Sequence, residues 1–227
     1  VVDVSLSMSA EDVEPNRLDA AKQAATEFVQ ELPDSFNVAV VAMSGRPTVA
    51  IPPTTDRGAT ERAIAALALE NGTAIGDSIT SAMRAIEMAP PGDDEADTPP
   101  AMIVMLSDGT NTEGPEPQEP AQQARADEVP IYTIAYGTQN GFVDLDGQRE
   151  NVAPDTATLK QIADTTGGRA VDADNRQALA DAYRDIGSVI GYEDVAKPIT
   201  ATYAFVALGF AVVAALGAVF MAARWPR

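Results

Sequence analysis

The chain has 227 residues with 34 acidic and 15 basic side chains, a net charge of −19, and no cysteine or histidine. This composition excludes disulfides, thiol nucleophiles, histidine general bases and zinc fingers, and the excess negative charge disfavours binding to nucleic acid. Apolar residues make up 45% of the chain, which is enough for one well-packed domain plus an appendage.

Short apolar runs alternate with amphipathic helical patterns over the first 190 residues. The apolar runs predict strands at 1–6, 37–43, 47–51, 101–106, 130–136 and 169–171. The helical patterns predict helices at 15–32, 57–69, 75–88, 121–128, 155–166 and 175–190. This alternation is typical of an α/β fold with a Rossmann-like, doubly wound, mostly parallel sheet.

Two hairpins interrupt the alternation. Strands 37–43 and 47–51, joined by a turn at Ser44-Gly45, predict an antiparallel pair at an edge of the sheet. A second hairpin is predicted over 142–152, around the turn Asp146-Gly147.

Polar side chains follow two of the predicted strands. Asp3, Ser5 and Ser7 occupy alternate positions at the end of the first strand, and Asp108 follows strand 101–106. Because ligands of such sheets bind outside the carboxyl ends of the strands, we expect these residues at one rim. Thr73 precedes helix 75–88 and adds a hydroxyl near that rim, although a threonine there is equally consistent with a helix cap.

Hydroxyl and carboxylate oxygens are hard ligands. They suit Mg²⁺, with Mn²⁺ or Ca²⁺ as alternatives, better than zinc or copper. Two carboxylates and several hydroxyls do not saturate such an ion, so we expect waters and one ligand from a partner to complete the coordination. A carboxylate of a protein partner is the natural candidate for that position.

These motifs, in this order, resemble the von Willebrand factor A (VWA) domain. The sequence Asp3-x-Ser5-x-Ser7, a Gly-Thr at Thr73 and a strand ending Ser-Asp-Gly at Asp108 match the family's metal-ion-dependent adhesion site (MIDAS). The resemblance covers about residues 1–190 and implies a metal site formed by Asp3, Ser5, Ser7, Thr73 and Asp108, with the serines coordinating directly. It also implies a protein-binding module.

The stretches EDVEPNRLDAAKQAA and LSDGTNTEG are similar to membrane-anchored bacterial VWA proteins of the Bat type and their actinobacterial relatives. That resemblance implies an association with a MoxR-type AAA+ ATPase or with other membrane VWA proteins. Members typically carry two further membrane helices before the VWA domain. The chain begins inside a predicted strand and without methionine, so we expect preceding residues to be missing.

Residues 199–223 are 25 residues without a charge, which is long enough to cross a bilayer as a helix. Arg224 and Arg227 follow this span and favour a cytoplasmic C-terminus, which places the acidic body outside the cytoplasm at the cell membrane. The predicted division is a VWA domain at 1–192, a linker at 193–198, the membrane helix and a tail at 224–227.

Two other functions compete with the binding module. A Mg²⁺-dependent phosphotransferase of the D-x-D type needs a second aspartate as acid and base, and Ser5 stands at that position, so we expect no enzymatic activity. A channel-associated membrane subunit is the other alternative, but one uncharged span is typical of an anchor rather than a pore.

Overall fold

A computed structural model describes residues 1–91, 100–108, 110–145, 147–190 and 216. The strands in those ranges are β1 (Val2–Asp3), β2 (Val38–Met43), β3 (Thr48–Thr54), β4 (Ile103–Ser107), β5 (Ile131–Tyr136), β6 (Phe142–Leu145), β7 (Gln148–Asn151) and β8 (Ala170–Ala173). The helices are α1 (Arg17–Glu31), α2 (Arg57–Ala66), α3 (Ile75–Glu87), α4 (Gln118–Ala126), α5 (Thr156–Thr166) and α6 (Arg176–Ile190), with a 3₁₀ turn at Leu6–Ser9.

Six strands form one sheet in the order β3-β2-β1-β4-β5-β8. Strand β1 lies parallel between β2 and β4, and β5 and β8 continue the parallel arrangement. Strand β3 pairs antiparallel with β2 at the edge, with an irregular register beside Pro52-Pro53. The predicted α/β fold, mostly parallel sheet and edge hairpin are therefore confirmed.

The core lies on both faces of this sheet. Successive residues of a strand point to opposite faces, and Val40 and Ala42 belong to one buried cluster whereas Val41 and Met43 belong to the other. Helices α1, α2 and α6 cover the first face, and α3, α4 and α5 cover the second. Residues Val1–Ile190 form one compact unit.

The first strand is shorter than predicted. The sequence favours a strand over residues 1–6, but β1 ends at Asp3 and the chain enters the 3₁₀ turn after Ser5. The cause is local, because the Ser5 amide donates to the Asp3 side chain (N–Oδ1, 2.8 Å) instead of to a neighbouring strand. Ser5 and Ser7 therefore do not alternate along an extended strand.

Several predictions concern residues outside the described ranges. These are the linker at 193–198, the membrane helix at 199–223 except Leu216, the tail at 224–227, and the turn residue Asp146. Among the residues that are described, no helix combines the length and apolar character needed to cross a bilayer.

Candidate metal site

The site begins where β1 and β4 end side by side. Their register pairs Val2 with Leu106, so Asp3 lies beside Ser107, and the Ser107 hydroxyl donates to the Asp3 carboxylate (Oγ–Oδ2, 2.5 Å). Asp108 is the next residue after β4, and its carbonyl accepts from the Asp155 amide (2.6 Å). Asp3 and Asp108 are almost fully buried. Two carboxylates thus meet at the carboxyl end of the two central strands.

The turn after β1 adds two hydroxyls to this edge. Ser5 Oγ and Ser7 Oγ are 2.8 Å apart, and Ser5 is buried whereas Ser7 is half-buried. The Ser7 side chain also faces Asp108, where its hydroxyl helps to stabilise the charged carboxylate. The bend at Ser5 therefore folds the two serines back over the aspartates.

A buried arginine lies close to the Asp108 carboxylate. Arg17, the first residue of α1, is 0% exposed and lies 3.9 Å from Asp108 (Nη1–Oδ2). Its guanidinium makes a bidentate pair with Asp12 (Nε–Oδ1, 2.8 Å; Nη2–Oδ2, 2.6 Å) and donates to the Val152 carbonyl (2.9 Å). Asp12 in turn accepts from the amide and hydroxyl of Thr138, both at 2.8 Å.

The two carboxylates repel each other in a site with little solvent. The pKa of Asp3 is raised to about 7, mainly by burial and also by the neighbouring Asp108, although hydrogen bonds from Ser107 and Ser5 act in the opposite direction. Burial also raises the pKa of Asp108, and Ser7 and the charge of Arg17 oppose that change. The edge is therefore unfavourable for negative charge unless a cation lies there.

Thr73 is held close to the same edge by its backbone. The Glu70 amide donates to the Val4 carbonyl (2.7 Å), which ties the loop before Thr73 to the end of β1. On the other side, the Thr73 carbonyl accepts from the Thr112 amide (2.8 Å), four residues after Asp108. Thr73 is 3% exposed, and the hydrogen bonds found among the described residues engage its backbone and leave its hydroxyl out.

The alternative role of Thr73 as a helix cap does not fit its position. The N-cap of α3 is Ala74, one residue later, which has no side-chain acceptor. The caps come instead from the loop after β4, because Asn111 Oδ1 accepts from the Ile75 amide (2.9 Å) and Thr112 Oγ1 from the Thr73 amide (2.8 Å).

The structure brings four of the predicted residues together at this edge: Asp3, Ser5, Ser7 and Asp108 are linked by hydrogen bonds or by charge repulsion to at least one other member of the set. It holds Thr73 in the adjoining loop. The sequence did not single out Arg17, Ser107, Asn111 or Thr112. Of these four residues, only Ser107 had a recognisable sequence signal, because it stands beside Asp108 at the end of a predicted strand.

The donor set fits a hard divalent cation. It consists of carboxylate and hydroxyl oxygens without nitrogen or sulfur, as Mg²⁺, Mn²⁺ and Ca²⁺ prefer. In the described part of the chain, His, Cys, Asp and Glu side chains do not gather in groups of three or more around a possible ion. The site thus depends on its serine and threonine hydroxyls as much as on its two aspartates.

The fold and the residues at this edge of the sheet together indicate the class of protein domain. An α/β sheet with a D-x-S-x-S turn after a central strand is the arrangement expected of a VWA domain, and residues 1–111 match the family model "von Willebrand factor type A domain". A UPF0353 protein of Mycolicibacterium gilvum is 38% identical over 235 residues, an alignment that covers 100% of this chain and 70% of the relative. The chain therefore belongs to the UPF0353 family, and its first 111 residues match the VWA domain model.

Several solved structures share the fold. An aerotolerance-related membrane protein from Bacteroides fragilis superposes with a TM-score of 0.71 at 22% identity, covering 83% of this chain and 96% of that one. Proximal thread matrix protein 1 from the mussel byssus, with a zinc-occupied MIDAS motif, gives 0.61 at 19% identity, covering 83% and 44%. The resemblance to VWA proteins predicted from the sequence is confirmed, and at these identities the structures support the fold alone.

Proposed function

We propose that the chain is a membrane-tethered VWA module that binds a protein partner through a divalent cation held by Asp3, Ser5, Ser7, Thr73 and Asp108. The observation that carries the proposal is the meeting of two buried carboxylates and two serine hydroxyls at one edge of the sheet. A dication relieves the repulsion between the carboxylates, and Arg17 already balances part of their charge.

Mg²⁺ is the proposed ion, with Mn²⁺ or Ca²⁺ as alternatives. When bound, the ion supplies a Lewis-acidic position that a carboxylate oxygen from outside the chain can occupy. Residues of this chain orient the site, since Ser107 and the Ser5 amide hold Asp3 while the Asp155 amide holds the backbone of Asp108. Binding to a partner then depends on the metal.

The partner is proposed to be a protein that offers one Asp or Glu within a basic surface. The chain carries a net charge of −19, and Glu11, Glu14 and Glu113 are exposed on the loops that follow β1 and β4. Further acidic groups on a partner would therefore meet repulsion. Another membrane VWA protein on the same side of the membrane is the proposed source of that carboxylate, in an assembly linked to a MoxR-type ATPase. We propose binding rather than catalysis.

Membrane tethering rests on the sequence of residues 199–223, 25 residues without a charge. Arg224 and Arg227 follow this segment, and positively charged residues favour the cytoplasmic side of a membrane span. This supports a VWA domain on the extracytoplasmic side of the cell membrane. The aerotolerance-related membrane protein from B. fragilis has the same fold, which supports a membrane location for this chain.

Thermal unfolding of the whole chain in detergent, with Mg²⁺ or with EDTA, tests the metal site. A ligand at 100 times its Kd stabilises by about 2.7 kcal/mol, or roughly 5–10 °C for a chain of this size. We expect that shift in the native protein and in Asp164→Ala, which removes an exposed carboxylate paired with Lys160, and no shift in Asp108→Ala. Equal shifts in native protein and Asp108→Ala would contradict the proposal.

Capture of partners from membranes tests the second part. The native chain is expected to retain a defined protein in Mg²⁺ and release it in EDTA, and the double variant Ser5→Ala/Ser7→Ala is expected to retain none. If the metal shift is present but the captured proteins are identical for the native chain and the double variant, the metal has another role than partner binding.

A further inference from the structure

We infer that Asn111 and Thr112 are positioning residues for the candidate metal site, because they fix the backbone at Thr73–Ile75 and thereby set the affinity for the cation. The inference rests on the proposed metal-binding function and assigns a role to residues that are not themselves ligands. It follows from how the start of α3 is capped.

The start of α3 lacks a cap of its own. The first amides of a helix have no partner within the helix, and a side chain at the N-cap normally accepts from one of them. Here the N-cap is Ala74, which has no side-chain acceptor. Thr73, Ala74 and Ile75 are all buried, at 3%, 0% and 0% exposure, so their amides require partners within the protein.

The partners come from outside the helix. The Thr73 amide donates to Thr112 Oγ1 (2.8 Å), the Ala74 amide to the Ser44 carbonyl (3.0 Å) and the Ile75 amide to Asn111 Oδ1 (2.9 Å). The Thr73 carbonyl also accepts from the amides of Thr112 (2.8 Å) and Glu113 (3.2 Å). Both polar groups of the Thr73 backbone are therefore held by the loop that follows Asp108.

The loop also packs directly against the backbone around Thr73. A side chain at Gly72, whose φ is +76°, would collide with the Glu113 carboxylate, and one at Gly76 would lie 2.5 Å from the Pro115 carbonyl oxygen. Glycine at both positions allows this close approach. The two segments are therefore packed and hydrogen-bonded to each other, and Asn111 and Thr112 connect the Thr73 backbone to the loop that follows Asp108.

Loss of such supporting hydrogen bonds typically weakens metal binding 10–100-fold. Thr112→Val has nearly the same shape as threonine but removes the acceptor of the Thr73 amide. We expect it to weaken Mn²⁺ binding by about 10–100-fold, as measured from the signal of free Mn²⁺ in electron paramagnetic resonance. Thr112→Ser keeps the hydroxyl and is expected to restore an affinity within about threefold of native.

A matched control shows whether weaker Mn²⁺ binding is specific to Thr112 or follows from replacing any hydrogen-bonded threonine by valine. Thr26 lies in the middle of α1, where its hydroxyl donates to the Lys22 carbonyl (2.8 Å). Thr26→Val is expected to leave Mn²⁺ affinity unchanged. Asn111→Ala is expected to act in the same direction as Thr112→Val, because it removes the acceptor of the Ile75 amide.

Amide hydrogen exchange of the metal-free whole chain in detergent gives a readout that needs no metal, and its first part uses native protein alone. The Thr73 and Ile75 amides are expected to be protected in native protein, and Thr73 is expected to lose at least tenfold of that protection in Thr112→Val. Exchange of both native amides at the rate of an unstructured peptide would overturn the inference even if the variants do not fold.

The outcomes distinguish the two proposals. If native protein binds no Mn²⁺, the proposed function fails and the positioning role fails with it. If native protein binds Mn²⁺ and Thr112→Val binds it equally well, the metal site stands and the positioning role is refuted.

Discussion

Removal of the Arg17 guanidinium is expected to destabilise the protein strongly. Arg17 is 0% exposed and pairs with Asp12 at 2.6 Å, while Asp108 lies 3.9 Å away. Breaking a buried ion pair by removing one partner costs about 3–5 kcal/mol, because the other charge stays buried without compensation. Arg17→Met is therefore expected to lower the Tm by roughly 6–20 °C.

The chain offers a matched control for this variant. Arg184 also pairs with an aspartate at 2.6 Å, but its side chain is 62% exposed and that of Asp181 is 54% exposed. An exposed pair contributes about 0–1 kcal/mol, so Arg184→Met is expected to change the Tm by no more than about 4 °C. The difference between the two variants isolates the effect of burial at equal distance.

The same pair makes stability depend on pH. Burial alone would raise the pKa of Asp12, but hydrogen bonds from Arg17 and Thr138 outweigh it and lower the pKa to about 2 from an ordinary 3.8. The folded-state pKa is depressed, so the stabilisation is present above about pH 4 and is lost as the pH falls toward 2. After allowance for solvent screening it amounts to about 1–2 kcal/mol.

Chemical denaturation at pH 7 and at pH 2.5 measures both effects. Between pH 7 and pH 2.5 the contribution of Asp12 is lost from native protein, whereas the raised pKa of Asp3 adds stability over the same range. The change in the free energy of unfolding is therefore expected to be less favourable for native protein than for Arg17→Met, in which the partner that depresses the pKa of Asp12 is gone. A loss below about 1 kcal/mol for Arg17→Met at pH 7 would refute the reasoning, because a value that small is typical of an exposed pair.

Three further substitutions test other parts of the molecule. Asp3→Asn removes a buried charge, so it is expected to raise the Tm in EDTA at pH 7.5 and to abolish the shift produced by Mg²⁺; an unchanged Tm in EDTA would contradict the electrostatic account. Asn16→Ala removes the acceptor for the Asp19 amide at the start of α1 and is expected to cost about 1 kcal/mol, measured by urea unfolding. Leu159→Ala opens a cavity at a fully buried position and is expected to cost about 2–5 kcal/mol; a loss below 1 kcal/mol would show that the helix repacks.

The sheet was predictable because its signal is local. Apolar runs such as 101–106 and 130–136 correspond to β4 and β5, and the α1 positions Leu18, Ala21 and Val29, spaced for one helical face, are all buried. Strand ends place Asp3 and Asp108 at one edge once the strands are parallel neighbours. The two aspartates therefore follow from the topology.

The supporting residues were not predictable in the same way. Asn111 and Thr112 lie in a Pro- and Glu-rich loop that is typical of a solvated segment, and their hydrogen bonds reach residues 36 and 39 positions away in the chain. Arg17 carries a charge at a helix start, which favours an exposed position, yet it is buried because Asp12 and the Val152 carbonyl satisfy it. Long-range partners of this kind leave no local pattern.

The early end of β1 has a different and local cause. Val4 and Leu6 extend the apolar alternation, but the Asp3 carboxylate captures the Ser5 amide and turns the chain. When a side chain accepts a hydrogen bond from a nearby backbone amide, that amide is no longer available to a neighbouring strand, and the local bond overrides strand propensity.

The prolines of β3 affect how the domain can associate with other chains. Pro52 and Pro53 lie in the outermost strand, and neither has an N–H to donate. A regular ladder with a strand from another molecule cannot continue past them, so this border resists the edge-to-edge stacking that leads to aggregates. At the membrane location proposed above, this border would disfavour sheet-to-sheet pairing of neighbouring copies through β3 and leave recognition to the loops at the ends of the strands.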